Sequence, residues 1–151
     1  MPSAPRPYRF RHAVDVRFKD IDVGGHAHHS HALVYMEEAR AAYWRDVVGR
    51  AALEDVDYIL AEARVRYLAR VFYPQRLDVG VRVSRLSRRR FDMDYEVLGA
   101  DGSLLAEGAT AQIMYDYDSR ATKSVPPDVR AAIEALEGPF GAGGYPEAPV
   151  R

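Results

Sequence analysis

Residues 20–30 (DIDVGGHAHHS) combine side chains and backbone features that can act on a carbonyl group. The segment holds two carboxylates, two adjacent glycines and three histidines between a strand-like run and a helix-like run. A carboxylate on such a turn can act as a general base or as a nucleophile. The first N–H groups of the following helix have no acceptor inside that helix, so they can donate to a developing oxyanion. This combination favours acyl transfer or hydrolysis.

The elements that must position this segment are predicted from the spacing of apolar residues. Alternation of apolar and polar residues predicts strands over residues 8–18, 61–71, 77–84, 91–97 and 104–117. A longer repeat predicts a helix over residues 30–48, with Ser30 as its N-cap and Gly49 at its end. Pro126 begins a short helix that ends near Leu136. This order, with short turns between strands, predicts an α+β domain whose antiparallel sheet covers the long helix.

Composition limits the class of protein. The chain has 151 residues, of which 48% are hydrophobic and 28% charged, and we assign residues 1–137 to one globular domain. The Gly- and Pro-rich residues 138–151 are predicted to be disordered. The absence of cysteine excludes disulfides and cysteine nucleophiles.

Charge and hydropathy give no sign of a nucleic-acid or membrane partner. The formal net charge is −1, so the chain as a whole has no strong attraction to polyanions or anionic lipid. The first residues lack a signal-like apolar run, and no apolar stretch reaches membrane-spanning length. We therefore expect a cytoplasmic protein that binds neither nucleic acid nor a membrane.

Seven residues form a spaced pattern across the polar turn and the helix: Asp20, Asp22, Gly25, His29, Glu37, Ala39 and Arg40. The pattern resembles the signature of hotdog-fold acyl-CoA thioesterases, and among them the 4-hydroxybenzoyl-CoA thioesterase type. Tyr67, Pro74, Asp78, the turn at residues 101–102 and the region of Pro126 also fit, so the resemblance covers roughly residues 14–136. It implies a hotdog fold, an antiparallel five-stranded sheet wrapped around a long central helix, and an acyl-CoA substrate with no cofactor.

The resemblance also assigns roles to the residues of the turn. In the family, the carboxylate aligned with Asp22 attacks the thioester or activates water. The N–H groups around His29 would stabilise the oxyanion, and its imidazole can orient the water or the carboxylate. Gly25 would give the backbone room beside the substrate, and His28 would contact it. The alternative for both aspartates is a structural role in the turn, which we favour for Asp20.

The histidines of this segment also suggest a metal site. His26, His28, His29 and His31 follow one another as His-x-His-His-x-His. This spacing on one turn does not match a usual set of zinc ligands. We therefore predict no metal and interpret the cluster as a polar loop that faces the substrate.

Charged residues elsewhere suggest two further contacts. Arg88, Arg89 and Arg90 lie in the turn between two predicted strands, and guanidinium groups suit the phosphates of CoA. We assign these three arginines to substrate binding, with a solvated turn as the alternative. Glu37 and Arg40 are three residues apart on the helix, so they can pair on one face.

The predicted sheet has an exposed edge strand, and family members place their active sites between protomers. Edge pairing removes an aggregation hazard, so we expect a homodimer or a homotetramer. Two other functions stay open at this stage. One is a hotdog hydratase or dehydratase, which needs a different acid–base pair, and the other is a non-catalytic acyl-CoA-binding module.

Overall fold

The computed structural model describes residues 6–148 and contains two helices and six strands. The strands are β1 (Phe10–Asp15), β2 (Tyr58–Tyr67), β3 (Arg76–Leu86), β4 (Arg90–Leu98), β5 (Leu104–Asp116) and β6 (Ala121–Thr122). The helices are α1 (Ser30–Asp46) and α2 (Pro127–Glu137). All strand pairs are antiparallel, in the order β1-β3-β4-β5-β2, and the short β6 pairs with β5. The predicted α+β architecture is confirmed, and β6 is an addition to the five predicted strands.

The core forms between α1 and the inner face of the sheet because the two elements have matching apolar faces. Alternate residues of β3 and β4 are buried, and α1 buries eight side chains against them. Trp44 of α1 stacks on Phe91 of β4 with a centroid distance of 4.9 Å. Its indole N–H donates to Asp57 at 3.0 Å, so the ring is buried without leaving its polar atom unpaired.

Strand β2 differs from its predicted position because its ends are set by contacts with other elements. It begins at Tyr58, whose ring packs edge-on against Trp44. It ends at Tyr67, after which Leu68 and Ala69 both donate their N–H groups to the same carbonyl, that of Leu105. A shared acceptor of this kind ends a regular ladder.

The residues after α2 differ from the expected disorder. Between residues 138 and 148 the chain forms a bridge between Phe140 and Pro146 and a tight turn at Ala142–Gly144. Gly144 has a φ of +82°, and a Cβ there would lie 2.7 Å from the backbone of Leu86. The same glycines that suggest disorder thus permit close packing on β3. Positions 149–151 of the predicted tail lie outside the described residues.

The last residue of α2 carries a buried carboxyl group. Glu137 is 4% exposed, and its carboxyl lies 3.5 Å from the hydroxyl of Tyr43 on α1. Burial raises the pKa of Glu137 to about 7, and the positive charges of Arg6 and Arg9 oppose this shift only in part. The folded protein therefore holds a proton on this group that the unfolded chain has already released.

We predict that Glu137→Gln stabilises the protein in a pH-dependent way. The folded-state pKa is raised, so the free energy of unfolding falls as pH increases from about 4.5 to about 7. The amide stays neutral, so above pH 7 the variant should gain up to about 3 kcal/mol over the wild type. Urea unfolding at pH 4.5 and pH 8 measures this difference. Glu38→Gln, at an exposed site, is the control, and a Glu137→Gln effect equal at both pH values would contradict the prediction.

Candidate active site

The polar turn is held in place by the buried side chain of Asp20. Its carboxylate accepts hydrogen bonds from the N–H of Arg17 at 3.0 Å and the hydroxyl of Tyr35 at 2.8 Å. Burial alone raises the pKa of Asp20, but these bonds and the Arg17 charge outweigh it and hold the pKa below its ordinary value. The carbonyl of Asp20 also accepts the N–H of His28 at 2.9 Å. Asp20 therefore connects the segment after β1, the turn and α1, which is a structural role.

Asp22 lies in a small hairpin that directs its carboxylate into a cavity. The hairpin is closed by a bridge between Ile21 and Ala27 and by the Asp22 N–H, which donates to the carbonyl of His26 at 3.1 Å. One carboxylate oxygen accepts the N–H of Gly24 at 2.7 Å. The other oxygen has no hydrogen-bond partner within residues 6–148. One oxygen is thus oriented by the backbone while the other is free for chemistry.

The cavity has a volume of about 360 Å³ and lies between α1, the end of β2 and the sheet. Most of its lining is apolar, and its polar groups gather around the hairpin. The residues that line it are Asp22, His26, Ala27, His29, Ala32, Tyr35, Tyr67, Leu68, Ala69, Arg70, Val71, Val97, Leu105 and Ala106. An apolar cavity with a few convergent polar groups is typical of a small-molecule site.

The N-terminus of α1 reaches the same cavity. His29 is the N-cap residue, one position before the predicted cap, and within residues 6–148 its backbone N–H has no acceptor. The carbonyl of His29 accepts the hydroxyl of Tyr67 at 2.5 Å, which ties the helix end to β2. A free N–H at a helix N-terminus points along the positive end of the helix dipole. This group can donate to an oxyanion formed beside Asp22.

His28 has a structural task in the helix end. Its Nδ1 lies 2.8 Å from the hydroxyl of Ser30 and accepts the backbone N–H of Ser30 at 3.2 Å. The ring therefore replaces Ser30 as the group that caps the helix, and it does not line the cavity. Gly25 does not line the cavity either. Its φ of +79° is required by the turn of the hairpin, and a Cβ there would meet nothing within 4 Å.

The three arginines assigned to CoA lie at the opposite end of the sheet. Arg90 begins β4 and the cavity residue Val97 lies seven residues further along it, a separation of about 23 Å in an extended strand. The side chain of Arg90 pairs with Asp92 at 2.7 Å, and Arg89 donates to Thr122 at 2.8 Å. Within one chain, the basic turn and Asp22 do not meet.

The sequence indicated the aromatic lining only in part. By residue type, six large side chains could line an acyl pocket or pack in the core: Tyr35, Met36, Tyr43, Trp44, Tyr58 and Tyr67. Of these, Tyr35 and Tyr67 line the cavity. The remaining four, Met36, Tyr43, Trp44 and Tyr58, are buried in the core. The residue pattern does not separate these two groups, because helix periodicity gives Tyr35, Met36, Tyr43 and Trp44 one buried face, and Tyr58 and Tyr67 are the two ends of the same strand.

The expected pairing of Glu37 with Arg40 is wrong. Arg40 is 6% exposed, and its guanidinium donates to the hydroxyl of Tyr95 at 3.2 Å, whereas Glu37 is exposed. The buried Nε of Arg40 has no hydrogen-bond partner in the described part of the chain. Residues three apart on a helix can pair only when both side chains point to the same face. Here the side chain of Arg40 is buried in the core, so it does not reach Glu37.

Two further features follow from the described residues 6–148. Their histidine and carboxylate side chains form no group of three or more that is suited to bind a metal ion. Neither helix has the length and apolar character needed to span a bilayer.

The sequence and the fold match known proteins. Residues 16–133 match the thioesterase-like superfamily. The uncharacterized protein YsmA of Bacillus subtilis is 22% identical over 112 residues, which cover 74% of this chain and 76% of that protein. This comparison identifies a relative but no activity.

Two solved structures add to this comparison. A thioesterase from Thermus thermophilus, determined with coenzyme A and Zn, is 32% identical with a TM-score of 0.75, covering 85% of this chain and 95% of that one. The DHNA-CoA thioesterase of Staphylococcus aureus is 25% identical with a TM-score of 0.75, covering 84% and 89%. Because the family match spans more than three quarters of the residues, the chain belongs to the thioesterase-like superfamily and is an enzyme of the thioesterase class with the hotdog fold that its signature predicts.

Proposed function

We propose that the protein hydrolyses the thioester of an acyl-CoA to a free acid and CoA, with Asp22 as nucleophile or general base. One observation carries this proposal. Asp22 and His29 line the same largely apolar cavity, and within residues 6–148 one carboxylate oxygen of Asp22 and the N–H of His29 at the helix N-terminus have no hydrogen-bond partner. The cavity suits an apolar acyl group, and the two polar groups suit the two charges that change when its thioester is attacked.

Asp22 can drive the reaction in either of two ways. As a general base it removes a proton from water, the water oxygen adds to the thioester carbon, and the carbon–sulfur bond then breaks to release the thiolate of CoA, which takes up the proton. As a nucleophile it adds to that carbon itself, and the carbon–sulfur bond breaks to release the thiolate of CoA and leave a mixed anhydride. Water hydrolyses this anhydride in a second step, which releases the acid, regenerates the Asp22 carboxylate and supplies the proton that the thiolate takes up. In both cases the hydrogen bond from the Gly24 N–H orients the carboxylate.

The oxyanion of the tetrahedral intermediate is stabilised by the N-terminus of α1. The N–H of His29 donates to it, and the dipole of the 17-residue helix adds to the positive potential. His26 and the imidazole of His29 lie at the same cavity and can hold the attacking water. The solved relatives support a CoA ester as substrate, since one was determined with coenzyme A and another is a DHNA-CoA thioesterase.

We predict that Asp22→Asn lowers kcat by at least about a hundredfold, since an amide can neither remove a proton nor attack as an anion. Thiol release from a panel of acyl-CoA esters measures this loss, and calorimetric binding of CoA should be unchanged. Asp15→Asn, at an exposed residue of β1, is the matched control. Undiminished turnover in Asp22→Asn would refute the assignment, and absence of thiol release by the wild type would refute the function.

The exposed edge of the sheet supports a dimer. Among residues 6–148, strand β2 has β5 as its only strand partner, and eight of the ten residues of β2 are exposed, Ile59 and Leu60 among them. Leu33 on the neighbouring face of α1 is exposed as well. We infer that β2 pairs antiparallel with β2 of a second copy, which covers both the open backbone edge and these apolar side chains.

Such a dimer would also bring the basic turn to the active site of the other protomer. Antiparallel pairing places the first residues of one β2 beside the last residues of its partner. In each chain, Tyr58 of β2 lies opposite Met114 of β5, and the adjacent Ile113 lies opposite Arg90 of β4. Three strand spacings, about 14 Å, would then separate this turn from the partner's cavity, compared with about 23 Å within one chain. We assign Arg88–Arg90 to CoA phosphates bound in the other protomer.

Subunit mixing tests this arrangement. We predict that Asp22→Asn and a variant with Arg88, Arg89 and Arg90 changed to Ala are each weakly active alone but regain activity when refolded together. The mixed dimer has one site with an intact Asp22 and an intact arginine turn from its partner. The control mixes Asp22→Asn with Arg45→Ala, a change on the exposed surface of α1. The activity of this mixture should equal that of its active Arg45→Ala subunits alone, with no gain from pairing. No gain in the first mixture, or a monomer in sedimentation, would contradict the arrangement.

A further inference from the structure

We propose that Met36, one helical turn beyond the lining residue Ala32, blocks any extension of the cavity along α1 and so limits the length of the acyl group that the enzyme accepts. The proposal rests on the function proposed above and names the class of substrate, a thioester of a compact acyl group, either a short chain or a ring. Long fatty acyl chains are excluded because the cavity ends within the domain.

The position of Met36 follows from the periodicity of the elements that form the cavity. Three of the lining residues lie on the elements that form the core: Ala32 on α1, Val97 on β4 and Ala106 on β5, with Val97 paired opposite Ala106. The next residue on the same face of α1 is four positions further along, and on each strand it is two positions away. These residues are Met36, Tyr95 and Gly108, none of which lines the cavity. They form the wall that an extended acyl chain would meet.

Met36 fills this wall by occupying the space that a side chain at position 108 would need. It is 0% exposed, and a Cβ at Gly108 would lie 2.5 Å from its sulfur and 2.6 Å from its terminal methyl group. The thioether therefore lies directly on the backbone of β5. Methionine is unbranched and flexible, so it can seal such an irregular gap.

Behind Met36 the interior becomes polar and is filled. The hydroxyl of Tyr95 lies 2.7 Å from that of Thr110 and accepts a hydrogen bond from Arg40 at 3.2 Å. All three residues are buried. An apolar chain that reached this layer would displace hydrogen bonds of a buried cation, which is unfavourable. Removal of Met36 should therefore deepen the cavity by one layer and no more.

Two substitutions move the limit in opposite directions. Met36→Ala removes three heavy atoms beyond Cβ and leaves space for about three acyl carbons. Gly108→Ala forces the end of Met36 to move, and because the layer behind it is filled, the thioether must turn into the cavity. Met114→Ala is the matched control, since Met114 is equally buried but lies at the other end of β5 beside Tyr58.

The experiment measures kcat/KM for straight-chain acyl-CoA esters of increasing length. We expect Met36→Ala to raise kcat/KM at least about tenfold for esters up to about three carbons beyond the wild-type limit. We expect Gly108→Ala to shorten the limit and Met114→Ala to leave it unchanged. An unchanged limit in both Met36→Ala and Gly108→Ala would overturn the proposal. So would an equal shift in Met114→Ala.

Binding of S-alkyl-CoA thioethers, which cannot be hydrolysed, separates this proposal from the proposed function. If the wild type releases no thiol from any ester, hydrolysis is refuted, yet the longest thioether bound should still increase in Met36→Ala and decrease in Gly108→Ala. If thiol is released but neither the ester nor the thioether limit moves, Met36 does not set the depth. Met36→Val serves as a smaller truncation if Met36→Ala fails to fold.

Discussion

The geometry of the site depends on one buried carboxylate, that of Asp20. A buried anion is unfavourable unless its oxygens are satisfied, and here Arg17 and Tyr35 supply those hydrogen bonds from two different elements. The same bonds hold the segment after β1 against the first turns of α1. With these two elements held, the hairpin between them has a defined origin, and Asp22 at its start has a defined direction. Asp20 thus determines the position of the carboxylate for which we propose a catalytic role.

The space between α1 and the sheet is divided into three layers of different character. Along α1, the space first forms a largely apolar cavity at Ala32, is then filled by Met36 against Gly108, and is polar where Arg40 donates to Tyr95. Each layer arises from one turn of the helix facing one pair of strand residues. A single change of residue size in such a stack alters the depth of the cavity without altering the fold, because the backbone contacts are made elsewhere.

The cavity and the basic turn lie at opposite ends of the sheet, because a strand is longer than a small-molecule site. One end of β4 forms the cavity, and the other carries the basic turn about 23 Å away. A ligand with an acyl group at one end and phosphates at the other is too large for the inner cavity alone. The exposed β2 edge offers a way to bring the second end of another chain close to it. The open edge therefore relates to function as well as to stability.

Local periodicity determined most of the fold from the sequence. Apolar residues at every second position predict β3 and β4, and the helical repeat after the polar turn predicts α1. Both patterns can be read from the sequence because each element buries one face, and that face is set by residue type and spacing. The Asp-x-Asp-x-x-Gly signature likewise identified Asp22, which lies at the cavity.

Tertiary structure decided what spacing does not encode. His28 and His29 are neighbours of the same type, yet the ring of His28 bonds to Ser30 at the helix end, whereas His29 lines the cavity and its carbonyl accepts the hydroxyl of Tyr67. Arg40 is buried rather than paired with Glu37, and residues 138–148 pack although their composition predicts disorder. In each case the outcome depends on which surface lies opposite, and only the folded chain brings that surface into place.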